Sequence, residues 1–148
     1  MTTERTRTEE LTHDGPTLYL PGGGGWDGFL FLPLTQRVTV AVKLTPSKVR
    51  LLVALAEAMR ADAGLSRAAR GWRRPERLAR IVADQTGWGY MVEAQTVRAY
   101  LAQIKRAVRK EVRAARRGAK VPQLLEHRRG LGVRLATDRL MIVEGTNP

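Results

Sequence analysis

From Val49 onward the apolar residues recur at three- and four-residue steps. Val49, Leu52, Val53, Ala56 and Met59 form the first series, widened by Leu51 and Leu55. That spacing lays them on one face of an amphipathic helix. The run Leu44-Thr-Pro-Ser47 marks its start, since Thr45 can accept from the first backbone N–H groups and Pro46 suits the first helical position. The series predicts a helix reaching Asp62. Pro75 opens a second, with Leu78, Ile81 and Val82 inward, stopping at the glycine-punctuated Gly87-Trp-Gly-Tyr90. A third starts at Gln95 or Thr96. In it Val97, Leu101, Ile104, Val108 and Val112 make a single seam, while Arg98, Gln103, Lys105, Arg106, Arg109 and Arg113 occupy the other faces. Gly118-Ala-Lys-Val-Pro122 ends it.

On either side of these helices the chain reads as strands. Thr17–Leu20, Gly28–Leu32 and Arg37–Val42 are rich in aromatic and β-branched residues, and Pro33-Leu-Thr-Gln36 makes a turn between the last two. They predict a small antiparallel meander of two or three strands. After the helices, Leu124–His127 and Val133–Leu135 flank Arg128-Arg-Gly-Leu-Gly132, which predicts a basic β-hairpin, and Arg139–Val143 can add one more strand. Residues 1–15 are polar, Thr-rich and without period, and are expected to form a disordered tail. Pro21-Gly-Gly-Gly-Gly25 is a loop; no Lys-Ser/Thr follows it, so a phosphate cradle is not indicated. The basic run 63–74 suggests a loop with one helical turn. The fold class is therefore α+β, with a small N-terminal antiparallel sheet, three helices and a C-terminal hairpin. One domain spans 16–144.

Charge adds direction to this layout. The 148-residue chain carries a formal net charge of +12. Residues 1–44 hold four basic against five acidic side chains, whereas 45–148 hold 22 against nine. Nine of the basic residues lie between Arg98 and Lys120, opposed only by Glu111. Clustering of this kind favours a polyanionic partner; its bland counterpart is a solvated arginine-rich surface. The absence of cysteine excludes disulfides, thiolate catalysis and cysteine-bound zinc. No stretch approaches the roughly 18 apolar residues of a membrane span, and the polar N-terminus lacks the core of a signal peptide. A cytoplasmic, nucleoid-associated protein is expected. Catalysis is not: the histidines are His13 and His127, and no metal motif, paired carboxylates or nucleophile elbow is present. No cofactor is implied.

The order of strands, three helices and hairpin is that of a winged helix-turn-helix. Within that class the chain resembles the OmpR/PhoB-type DNA-binding domain of bacterial response regulators. Leu44-Thr-Pro-Ser-Lys-Val-Arg-Leu-Leu52 resembles the family's opening of helix one. Thr96-Val-Arg-Ala-Tyr-Leu-Ala-Gln-Ile-Lys-Arg106 is similar to its recognition-helix pattern, and Arg129-Gly-Leu-Gly-Val-Arg-Leu135 to its wing signature. The likeness covers residues 28–136. Lys48, Val49, Arg98 and Val133 depart from the family's usual residues, and the stretch between the first two helices is longer. The receiver domain's acidic cluster is missing, so a stand-alone winged helix is expected.

The resemblance implies that the third helix enters the major groove of double-stranded DNA and that the hairpin lies on the minor groove, making a sequence-specific transcription regulator. It places Gln95, Arg98, Tyr100, Gln103, Lys105 and Arg106 on the reading face, with Arg109 farther along the same helix. Chemistry supports several of these: arginine offers a fork to guanine, and glutamine a donor and an acceptor to adenine. Each Arg can equally serve a phosphate, and Tyr100 can either touch DNA or pack on the first strands. Arg128 and Arg129 at the hairpin suit a narrow minor groove. Arg73 and Arg74, beside Arg67, Arg70 and Arg77, fall where the family touches phosphates or RNA polymerase. Family members bind direct repeats as tandem dimers, which allows a second copy on DNA. Trp72 and Trp88 are read as buried or partner-binding, His127 as a strand residue. Two alternatives stand beside this: a non-specific architectural DNA-binding protein, and a winged-helix module for an acidic protein partner. Structured RNA ranks below these.

Overall fold

The computed structural model describes residues 15–22, 27–86 and 93–145. The expected tail, the centre of the glycine loop, Trp88 and the turn that holds it lie outside the described residues. Three strands come first: β1 (Thr17–Leu20), β2 (Gly28–Pro33) and β3 (Thr39–Leu44). Alternate residues Leu18, Leu20, Leu30, Leu32, Val40, Val42 and Leu44 turn inward and are buried, as the two-residue period of a strand requires. β1 and β2 pair antiparallel, as do β2 and β3, with Leu30 opposite both Leu18 and Val42.

The sheet is wider than the expected meander. A C-terminal strand, β6 (Met141–Glu144), lies parallel to β1 with Thr17 opposite Met141, giving the order β3-β2-β1-β6. The sheet is therefore mixed, not antiparallel throughout. A parallel pair needs a long crossover, and here all three helices and the hairpin lie within it. Local pattern alone could not supply that partner.

Helix α1 (Pro46–Ala61) begins as anticipated, with Pro46 in its first turn and Val49 N–H donating to the Thr45 carbonyl at 3.0 Å. The Thr45 hydroxyl, however, caps nothing; its backbone is extended, with φ −73° and ψ 161°. The predicted stripe is buried, and so are Ala54 and Ala58, so more than one face of the helix is enclosed. A short 3₁₀ turn (Arg67–Ala69) follows, then α2 (Pro75–Thr86) and α3 (Ala94–Ala115). α3 starts one residue before the earlier of its two expected starts, with Glu93 as its cap. Its seam Val97, Leu101, Ile104, Val108 and Val112 is 0–2% exposed. At roughly 1.5–3 kcal/mol per buried aliphatic side chain, that seam contributes on the order of 10 kcal/mol to docking α3 on the core. Strands β4 (Leu125–Arg128) and β5 (Gly132–Leu135) form the hairpin, Leu125 opposite Leu135 and Arg128 opposite Gly132.

Candidate nucleic-acid interface

The hairpin is fixed to the helices through the chain between α1 and α2. Arg73 N–H donates to the Val133 carbonyl and Val133 N–H to the Arg73 carbonyl, both at 2.9 Å. That two-bond bridge makes Arg73 a third, one-residue rung beside β5. Gly132 permits the approach: its φ is +104°, and a Cβ there would meet the Arg73 carbonyl.

Side chains reinforce the bridge. Trp72 is 9% exposed and donates from Nε1 to the Ala68 carbonyl at 2.8 Å. Arg134 lies over its ring, 4.3 Å from guanidinium carbon to ring centroid, and Arg128 approaches at 5.8 Å. Arg134 also donates to the carbonyls of Arg67 (2.6 Å) and Arg70 (3.0 Å) and to Glu126 (3.4 Å). Arg70 reaches the carbonyls of Ala63 (3.2 Å) and Leu65 (3.0 Å) and lies 3.6 Å from Asp138. The stretch 63–74 is thus tied down from within. Nothing local in the sequence marked Arg134 for this: it belongs to β5, and its carbonyl acceptors lie more than sixty residues earlier.

Arg73 and Arg74 have different surroundings. Arg73 donates to Asp62 at 2.9 Å and is half-buried. The Arg73 guanidinium, with the Gly71 N–H at 2.9 Å, holds the Asp62 carboxyl below the usual carboxylate range. Arg73 is therefore directed at the end of α1, away from solvent. Arg74 is exposed and donates to the Gly130 carbonyl at the hairpin tip, at 3.0 Å.

The remaining candidates divide by helix face. Gln95 and Arg106 lie on the outward face of α3, with Ala99, Ala102, Lys110 and Arg113, all exposed. Arg98, Lys105 and Arg109 follow one another at steps of seven and four along the flank nearest the hairpin. Tyr100 and Gln103 take the opposite flank and are partly buried, Tyr100 against the core. Arg98 reaches across to Glu76 in the first turn of α2, at 3.2 Å.

Between that flank and the hairpin runs an open cleft of about 500 Å³. Arg74, Arg98, Arg128 and Arg129 line it with His127, Leu101 and Val133; among the described residues Glu76 is its one carboxylate. In a smaller groove Lys105 and Arg109 face Val121, Pro122 and Leu124. Lys105 is pulled below the ordinary lysine range by partial burial and then by Arg109. His127 is held below its ordinary value by partial burial and then by Lys105, so it is neutral at neutral pH. Lys105, partly buried and beside the Arg109 guanidinium, and an adjacent imidazole kept neutral leave this flank positively charged. An anion is what relieves that charge.

Among the described residues no group of three or more histidine, aspartate or glutamate side chains is placed to hold a metal ion, and no helix is long and apolar enough to cross a membrane. No protein-family model matches the chain, and the comparisons with curated proteins and with solved structures found no match.

Proposed function

We propose that the chain is a sequence-specific, double-stranded DNA-binding transcription regulator of the winged-helix type, with α3 in the major groove and the β4–β5 hairpin as a wing on the minor groove. One observation carries the reading. Arg98, at the start of the basic flank of α3, lines one cleft with the arginine-tipped hairpin. Phosphate density in DNA rewards such an array through counterion release, and a helix of this diameter fits the roughly 12 Å major groove. The order of elements is also the one expected from the OmpR/PhoB-type resemblance. Gln95 and Arg106 supply base-reading chemistry at the outward face. Arg74, Arg128 and Arg129 suit phosphates and the minor groove, and Arg73 acts as a brace. Tyr100 and Gln103 reach DNA only from the side of the helix.

A second reading has its own observation. α3 is 22 residues long, about 33 Å, well beyond the width of one groove. Its C-terminal half adds Arg109, Lys110 and Arg113, with Arg116 just past its end, all exposed. These contribute affinity without sequence preference, as in an architectural DNA-binding protein.

Selection from a randomised duplex pool, followed by titration of the winner against scrambled DNA at two salt concentrations, separates the two. A preference of about a thousandfold or more fits a specific regulator. Equal affinity for all duplexes with a steep salt slope fits the architectural role. Absence of binding at moderate salt refutes both.

A further inference from the structure

We propose that Glu76 is a specificity-determining residue, which holds Arg98 for a guanine edge and keeps it off the phosphates. The inference rests on the DNA-binding reading of the cleft. Glu76 stands in the first turn of α2, among Arg74, Arg98, Arg128 and Arg129. A surface shaped for phosphate alone gains nothing from a carboxylate there, because it repels the ligand that the arginines attract.

The geometry of the pair points to another use. Arg98 Nη2 is 3.2 Å from Glu76 Oε1, and the side chains are 57% and 63% exposed. The contact is therefore not locked by burial. One donor is engaged, and a guanidinium has five, so a fork remains for the O6 and N7 of guanine. An arginine neutralised by a neighbouring carboxylate loses much of its attraction for the phosphate backbone, which any sequence offers. It keeps the directional bonds that only one base pair satisfies. The pair thus trades affinity for discrimination, a repulsive element of the kind specific interfaces use. It also links the first turn of α2 to the start of α3, so the angle between these helices sets where the fork points. An acidic residue at a helix N-terminus has a structural use as well, through the helix dipole, and the test must tell the two apart.

The test compares wild type, E76Q, R98Q and the double variant E76Q/R98Q, full length, in duplex selection and in salt titrations against scrambled DNA. If Glu76 works as proposed, E76Q binds scrambled duplex several-fold more tightly. Its salt dependence steepens by about one phosphate contact, because the freed Arg98 takes a phosphate. Its selected motif loses about tenfold preference at one guanine-containing position, the cost of a typical lost base contact. The double variant then matches R98Q, since Glu76 acts only through Arg98. An E76Q protein with an unchanged motif and salt slope overturns the inference, whatever its melting temperature, and leaves the DNA-binding reading standing. A wild-type protein without preference among duplexes overturns both.

Discussion

Replacing Gly132 by alanine would separate the hairpin from the helices, and the cost follows from three contributions. Gly132 has φ +104°, where an L-residue pays about 1–2 kcal/mol for a positive φ. The added Cβ overlaps the Arg73 carbonyl oxygen, lies 2.6 Å from its carbon and 2.9 Å from Arg74 Cα. All three are backbone atoms, so no side-chain rotation relieves the clash. Relief requires the bridge to open, with loss of both 2.9 Å bonds between Arg73 and Val133 at about 1 kcal/mol each. Together these predict about 3–4 kcal/mol of destabilisation for G132A. For a chain of this size that corresponds to a melting temperature lower by roughly 10 °C. Gly130 supplies the control: its φ is +85°, yet a Cβ there meets nothing within 4 Å, so G130A carries only the backbone strain of about 1 kcal/mol. Urea unfolding of wild type, G130A and G132A checks this. If G132A falls within about 0.5 kcal/mol of G130A, the bridge does not hold the hairpin and the reasoning fails.

Other expected outcomes follow from the same contacts. D62N removes an ionised acceptor from Arg73 and the Gly71 N–H and should cost about 2 kcal/mol at neutral pH. Because the folded Asp62 carboxyl lies below its unfolded value, its stabilisation is present above the ordinary carboxylate range and is lost as pH falls through the folded value. The difference between D62N and wild type in urea midpoint should therefore shrink in acid, and a constant difference refutes the linkage. R134Q loses the cover over Trp72 and bonds to two carbonyls and should destabilise by about 2–3 kcal/mol, read by thermal unfolding. Free His127 is held neutral by partial burial and Lys105, and bound phosphates would raise its pKa. DNA affinity should then increase as pH falls through the ordinary histidine range, and H127Q should flatten that dependence in a fluorescence titration. A truncated seam, L101A, removes a side chain that is 1% exposed and should cost about 2–5 kcal/mol in urea unfolding.

Much of this architecture is carried by local pattern. The seam of α3 is visible as five aliphatic residues at steps of four, three, four and four, because burying one face of a helix leaves that period in the sequence. Pro46 and Pro75 each open a helix, since a proline ring tolerates only the first turn. The alternation in β2 and β3 and the arginine-glycine turn of the hairpin are equally local. The concentration of positive charge on 98–120 needs no coordinates either.

What local pattern does not contain is who meets whom across the chain. β6 is a weak four-residue strand whose partner lies more than a hundred residues away, and only the closed core brings it to β1. The five arginines of the 67–77 stretch look alike in sequence, yet Arg70 and Arg73 are bound internally, Arg74 reaches the hairpin tip, and Arg67 and Arg77 stay exposed. A guanidinium becomes a brace or a ligand-binding group according to the acceptors within about 3 Å of it, and tertiary packing decides which those are. The same holds for Glu76: one carboxylate on a helix end by sequence, and by structure the one acidic side chain among the described residues lining a cleft of arginines. The residue types were determined by the sequence; their partners were determined by the packing of α2, α3 and the hairpin around one core.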